Sequence, residues 1–349
     1  MLHYDLHVGI RVIHVVESQI PSAGSISVCL PGLLASLQTS GVEGTTVDDL
    51  ENWNSQFTSS QIVHIHGWDY PLALHAASVA KQARKPYILS PLGQLTPSPI
   101  SRKGIFQRLQ SFFAQRPLQR GAAAITALND MDYQALCAAK AHSNIVLLPY
   151  GISFRDFVKP PGAATGAGTH RKLLMLGPLD PVFGCAVLLK AFAELGLIDD
   201  GWTVTLAGED RGNWRGKLEA AVRRKGGEGR VFFEDARNLD DQKQLLGEAY
   251  LLAAPSLHIS PAVSIMQALA AGVPVVATQN AVPPGLGETV RVCGSSRAEL
   301  REALRSVMEM PPSRRQELAH AARERARSLF DWSVLAPRYA DLYTACTRT

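Results

Sequence analysis

Ten short, nearly continuous apolar runs, separated within each half by longer stretches of helical periodicity, are what most limits the fold of this chain. In the first half the runs lie near 10–16 (IRVIHVV), 61–65 (QIVHI), 86–89 (PYIL), 122–127 (AAAITA) and 144–148 (NIVLL). In the second half they lie near 172–176 (KLLML), 202–207 (WTVTLA), 230–233 (RVFF), 250–253 (YLLA) and 274–277 (PVVA). Helical patterns near 25–39, 69–83, 103–119 and 130–140 separate the first set. Patterns near 184–195, 213–225, 239–248 and 262–271 separate the second. Apolar strands alternating with helices predict parallel sheets covered on both faces.

The two sets are divided by Lys159-Pro-Pro-Gly-Ala-Ala-Thr-Gly-Ala-Gly-Thr-His170, which is rich in Gly and Pro and has no apolar periodicity. It reads as a linker. The expected organisation is a doubly wound domain over 1–158, the linker at 159–170, a second doubly wound domain over 171–330 and a C-terminal helix over 331–349. Trp332, Leu335, Tyr339 and Leu342 recur at helical spacing in that last segment. Only about twenty residues separate the first helix from the strand near 61, room for little more than one small element. Ligands of such sheets bind outside the carboxyl ends of the strands, so a cleft between the lobes is the expected site.

Composition narrows the class. The chain has 349 residues, 46% hydrophobic and 19% charged, an ordinary globular balance. A formal charge of +4 is small for this length and argues against nucleic-acid binding. Cys29, Cys137, Cys185, Cys293 and Cys346 are scattered and odd in number, which favours free thiols over a disulfide framework or a zinc knuckle. His3, Asp5, His7 and Arg11 interrupt any apolar leader, and no run is long enough to cross a bilayer. A cytoplasmic location is expected.

Several segments resemble a known family. Pro255-Ser256-Leu257 follows an apolar strand, and Ala268-Leu269-Ala270-Ala271-Gly272-Val273-Pro274-Val275-Val276-Ala277-Thr278 comes after it. These are similar to the nucleotide-sugar segment of family-4 retaining glycosyltransferases, which have the GT-B fold. Gly177-Pro178-Leu179-Asp180-Pro181-Val182-Phe183-Gly184 resembles the family's donor-diphosphate loop. In the first lobe His64-Ile65-His66-Gly67, Ser90-Pro91-Leu92-Gly93-Gln94 and Leu148-Pro149-Tyr150-Gly151-Ile152 resemble its strand ends and the turn into the linker. The resemblance implies two Rossmann-like lobes with the last helix crossing back to the first.

It also implies a chemistry that this chain lacks. In such an enzyme the glycosidic bond of a sugar nucleotide breaks as the diphosphate leaves. No metal is generally used, so cations and backbone N–H groups must meet the developing charge. The family places Arg and Lys in the donor loop where Pro178 and Phe183 stand here. It places Glu where Ile259 and Gln267 stand, and His where Leu92 stands. A hydrogen bond to a charged group contributes about 1.5–3 kcal/mol, so losing both cations costs on the order of 3–6 kcal/mol. No catalytic residue of the family pattern is intact. Gly24, Gly177, Arg211, Ser260 and Gln267 remain the candidate donor contacts for a UDP- or GDP-sugar. His66, Gly93 and Gln94 are the candidate acceptor-side residues.

Other features carry alternatives. Arg211 or Lys217, in Gly208-Glu-Asp-Arg211-Gly-Asn-Trp-Arg215-Gly-Lys217, either reaches a phosphate or belongs to a solvated loop and helix turn. Gly24, between Pro21 and Ser25, either lets a ligand approach the backbone or makes a plain strand-to-helix turn. His64 and His66 point to one face of a strand, but no third metal ligand is evident beyond the nearby Asp69, so no metal is expected. Asp130-Met131-Asp132 after Asn129 reads as a helix cap rather than a metal motif. The basic, acid-free stretch 102–120 has Ile105, Phe106, Leu109, Phe112 and Phe113 on one helical face. It either packs into the first lobe or lies on an anionic membrane.

The expected function is that of a degenerate family-4-like protein of cell-surface glycan or polysaccharide assembly, acting as partner or regulator of a second glycosyltransferase. The alternative is an active retaining transferase with a non-standard phosphate site. No cofactor is required by either. A GT-B epimerase lacks the carboxylates and His that its chemistry needs.

Overall fold

A computed structural model describes residues 9–16, 23–49, 53–68, 70–93, 116–157, 171–196, 201–210, 212–236, 238–257 and 262–348. The expected linker at 159–170, and all but the last residues of the basic stretch 102–120, lie outside the described residues. The chain divides into two units, Met1–Gly151 with Trp332–Thr349, and Ile152–Asp331.

In the first unit the elements run β1 (Ile10–Val16), α1 (Ala23–Gln38), β2 (Val42–Val47), α2 (Trp53–Ser59), β3 (Ile62–His66), α3 (Pro71–Gln82), β4 (Tyr87–Ser90), β5 (Ala124–Ala127), α4 (Asp130–Ala138) and β6 (Ile145–Leu147). Among the described residues the six strands form one parallel sheet in the order β2-β1-β3-β4-β5-β6. The segment judged too short for more than one small element therefore holds both a strand and a helix. β2 needs few apolar residues because it is an edge strand, and only Val42 and Val47 of it are buried.

Side chains alternate across the sheet. Ile13, Val15, Val63 and Ile65 face the core shared with Ala73, Ala76, Ala77 and Ala80 of α3. The intervening His14, His64 and His66 therefore point to the opposite face. Pro71 opens α3, where its missing N–H costs nothing. Asn129 caps α4 by accepting from the Asp132 N–H at 2.9 Å.

In the second unit come β7 (Arg171–Leu176), α5 (Cys185–Ala193), β8 (Trp202–Ala207), α6 (Trp214–Arg224), β9 (Val231–Glu234), α7 (Leu239–Glu248), β10 (Leu251–Ala254), α8 (Val263–Ala270), β11 (Val275–Thr278), β12 (Arg291–Cys293), α9 (Arg297–Met308) and α10 (Pro312–Phe330). Among the described residues six parallel strands are ordered β12-β11-β10-β7-β8-β9. Leu173, Met175, Leu188, Phe192, Trp202, Val204, Leu251, Leu300 and Leu304 build its core. A capping box of Ser296 and Glu299 starts α9. Ile152 pairs with Asp331, and its N–H donates to the Phe330 carbonyl at 3.0 Å, which places Ile152–Phe157 in this unit.

The final helix, α11 (Trp332–Thr347), belongs to the first unit and packs on α1. Tyr339 Oη donates to the Pro149 carbonyl at 3.1 Å, and Arg338 donates to the Leu147 carbonyl at 3.0 Å. Among the described residues no helix is long and apolar enough to cross a membrane.

Candidate functional site

Strand order locates the crevice of the second unit. The chain runs outward from β7 to β9 and then returns to build β10 to β12 on the other side, so the order reverses between β7 and β10. Ligands of open parallel sheets bind outside the carboxyl ends at such a reversal. Gly177 follows β7 there, and Pro255 follows β10.

The loop from Gly177 to Gly184 is tightly folded. Gly177 has φ +154°, and Gly184 has φ +81°. A Cβ at Gly184 would lie 2.1 Å from the Pro255 carbonyl oxygen, so the loop rests directly on the strand end beside it. Leu257 N–H donates to the Val182 carbonyl at 2.8 Å and joins the two segments again. Asp180 starts a short 3-10 turn over Pro181–Phe183 by accepting from the Val182 N–H at 3.0 Å.

Every backbone N–H in this loop has an acceptor within the unit. Gly177 donates to Ala207 O, Leu179 to Glu209 O, Asp180 to Pro178 O, Phe183 to Asp180 O and Gly184 to Pro181 O, at 2.9–3.0 Å. Val182 donates to the Asp180 carboxylate, and Pro178 and Pro181 have no N–H. Phe183, where the resemblance implies a cation, is half-buried and packs against the hydrophobic core. Burial pushes the Cys185 thiol up to about 12, so it is not a nucleophile at neutral pH.

Gln267 on α8 is fully buried, and its Nε2 donates to Gln242 Oε1 at 2.7 Å. Gln242 Nε2 donates in turn to the Ala236 carbonyl at 3.1 Å. A carbonyl can only accept, which fixes both amide orientations and leaves Gln267 Oε1 as its remaining acceptor. The neighbouring cations are engaged on α6. Lys217 Nζ lies 4.0 Å from the Trp214 ring centroid, and Arg215 pairs with Glu219 at 2.9 Å. Asp210 receives the Trp214 and Arg215 N–H groups at 2.8 and 3.2 Å and so caps that helix. Arg211, Ile259 and Ser260 lie outside the described residues.

Leu92 in the first unit is buried and has φ +56°, a strained conformation for a bulky residue, and Gly93 follows with φ +77°. Gly24 falls in the first turn of α1 rather than in a preceding turn. Gln94 and Asp69 lie outside the described residues.

His66, expected on the acceptor side, is completely sealed from solvent. Its Nδ1 meets Tyr150 Oη, its Nε2 lies 2.9 Å from His14 Nδ1, and its carbonyl accepts from Tyr70 Oη at 2.7 Å. It is a packed histidine because strand pairing sets it beside His14 on the face that Tyr150 closes. His64 Nδ1 lies 2.8 Å from Tyr343 Oη on α11, and its Nε2 lies 2.7 Å from Ser90 Oγ. Burial lowers the His14 imidazole to about 3 and holds His64 and His66 well below the ordinary value, so all three rings are neutral. Sequence reading missed His14. His14 and His64 are far apart in the chain, and the register that sets them side by side is invisible until β1 and β3 are paired.

Residues 170–310 match the family model described as Glycosyl transferases group 1. No curated protein sequence matches the chain. The Anabaena protein HepE, solved with UDP and glucose, superposes with TM-score 0.74 at 17% identity over 96% of this chain and 100% of that one. Sucrose-phosphate synthase from Thermosynechococcus elongatus gives 0.75 at 17% identity, over 96% and 98%. Trehalose 6-phosphate synthase from Burkholderia multivorans gives 0.71 at 12% identity, over 97% and 98%. The fold is GT-B. At these identities the likeness speaks for the fold alone.

Proposed function

We propose that this chain is a glycosyltransferase-type protein of glycan or polysaccharide assembly that has lost ordinary transfer and serves as a partner or regulatory subunit of an active transferase. One observation carries the reading. The loop that should receive a diphosphate has spent every N–H from Gly177 to Gly184 on internal acceptors, and it holds Pro178 and Phe183 in place of cations. Charge developing on a leaving phosphate would find no prepared donor there. Moving an N–H from its carbonyl to a phosphate would cost the hydrogen bond it already makes, about 0.5–1.5 kcal/mol each. Peripheral contact with an anionic membrane through 102–120 remains part of this proposal.

A second reading is an active transferase with a rearranged phosphate site. It is favoured by Gln267, whose oriented Oε1 still offers an acceptor to a ligand hydroxyl. Structural relatives solved with UDP or UDP-glucose suggest the donor class for that case.

Calorimetric titration of the purified chain with UDP, UDP-glucose and GDP-sugars separates the two. No saturable binding below about 1 mM is expected, together with co-purification of a second transferase. Binding at about 10 µM or tighter, near −7 kcal/mol, would overturn the partner reading.

A further inference from the structure

We propose that His14, His64 and His66 form a closed binding site for one divalent first-row metal ion, with zinc the ion of best fit. The paired motif His64-Ile65-His66 lacked a third ligand in the sequence; β1 supplies it. One nitrogen from each of the three rings lies within 4.8 Å of the others, and all three residues are completely buried.

The donor set decides the class of ion. Three neutral imidazoles are borderline ligands that suit zinc, cobalt, nickel or copper, and among the described residues no carboxylate belongs to the cluster to favour calcium or magnesium. Zn–N bonds of about 2.0–2.1 Å in a tetrahedron hold ligand nitrogens about 3.3 Å apart. The His14 Nδ1 to His66 Nε2 separation of 2.9 Å is a few tenths short of that, and the 4.8 Å limit lies above it. Small ring rotations close the set.

Supporting groups are already placed. His66 holds its Nδ1 against Tyr150 Oη while its Nε2 faces His14. His64 has a hydroxyl at each nitrogen, Tyr343 and Ser90, so either nitrogen can turn to an ion while the other keeps an outer partner. His14 has no such partner at Nε2, which is buried and unpaired. Whichever tautomer His14 adopts, that nitrogen buries either an N–H or a lone pair without a hydrogen bond, at a cost of about 1–3 kcal/mol. A metal bond at Nδ1 would take the place of its hydrogen bond to His66 and would leave Nε2 as it is. Whichever nitrogen His64 turns to the ion, the hydroxyl it now meets, Tyr343 Oη or Ser90 Oγ, would stand beside the fourth position, and Tyr343 would link the site to α11. Such a site is structural, because burial leaves no open position for a substrate. This inference does not depend on the transferase reading.

The test uses the full chain. Protein stripped with a chelator is refolded from denaturant with zinc, because the cluster is sealed in the folded state. Expected are one zinc per chain by elemental analysis and a thermal midpoint higher by about 5 °C or more. Refolding with cobalt should give the strong visible absorption of tetrahedral nitrogen coordination. His14→Phe and, separately, His66→Gln should abolish both signals, whereas the exposed controls His75→Gln and His320→Gln should keep them. The wild-type cobalt spectrum decides even if a cluster variant fails to fold. Absent or weak octahedral absorption, no stoichiometric zinc, or loss of binding only in the surface variants would overturn the proposal.

Discussion

Gln267 and Gln242 form an amide pair at 2.7 Å whose polarity is set by a third group, the Ala236 carbonyl. Restoring the acidic residue that the family resemblance implies at 267 therefore meets an obstacle outside the motif. A carboxylate at 267 would face Gln242 Oε1, acceptor against acceptor. If Gln242 flips to donate, its oxygen turns onto the Ala236 carbonyl instead. Gln267→Glu alone should lower stability by about 1–3 kcal/mol in urea unfolding. Adding Gln242→Lys supplies donors to both neighbours and should recover most of that loss. A single variant as stable as wild type would show that the relay is not held.

Two glycines of positive φ should respond differently to alanine. A Cβ at Gly272, φ +70°, meets nothing within 4 Å, so only backbone strain of about 1 kcal/mol is expected. At Gly184, φ +81°, it meets the Pro255 carbonyl at 2.1 Å, and the loop must leave the end of β10. Gly184→Ala should cost about 3 kcal/mol or more. Thermal unfolding of the two variants side by side checks the ranking. Equal losses would mean that the loop does not rest on β10.

Much of this arrangement was legible beforehand, for a physical reason. Central strands such as Ile10–Val16 and Trp202–Ala207 are covered on both faces, so their apolar runs stand out from the helices around them. The edge strands β2 and β12 escaped notice. Val42–Val47 reads VEGTTV with two buried residues, and Arg291–Cys293 has none that is fully buried. At the candidate site, Pro178, Phe183 and Gln267 are singled out by the family resemblance, but their partners could not be read from the sequence. The Gln242 relay, the spent N–H groups of the loop and the third histidine all depend on segments that only the fold brings together.

Leu92 offers a test of strain against burial. It is 2% exposed with φ +56°, so it gains by packing while its backbone opposes it. Leu92→Ala removes the packing, at about 2–5 kcal/mol, and keeps the strain. Leu92→Gly removes both, and relief of the strain should return about 1 kcal/mol. The glycine variant should therefore be the more stable of the two, the reverse of the order seen inside a helix. Denaturant midpoints decide it, and an alanine variant equal to or above glycine would exclude strain at this position.

Asp132 should impose a pH dependence of its own. Its Oδ2 accepts from the Leu128 N–H at 3.0 Å, while Oδ1 is buried without a partner. Burial, offset in part by that N–H, raises the carboxyl from 3.8 to about 6. The folded state therefore holds a proton that the unfolded state has released between about pH 4 and pH 6. The stabilising contribution of the neutral carboxyl is complete below pH 4 and lost as pH rises through 6. A gap of this size corresponds to on the order of 3 kcal/mol. Asp132→Asn keeps an oxygen for the Leu128 N–H and cannot ionise. Urea midpoints measured from pH 4 to pH 7 should fall with pH in wild type relative to the variant, with the variant the more stable at pH 7. The difference between the two curves isolates this carboxyl from other titrating groups. Parallel curves would mean that Asp132 titrates as an ordinary exposed carboxylate, and that its buried setting is wrong.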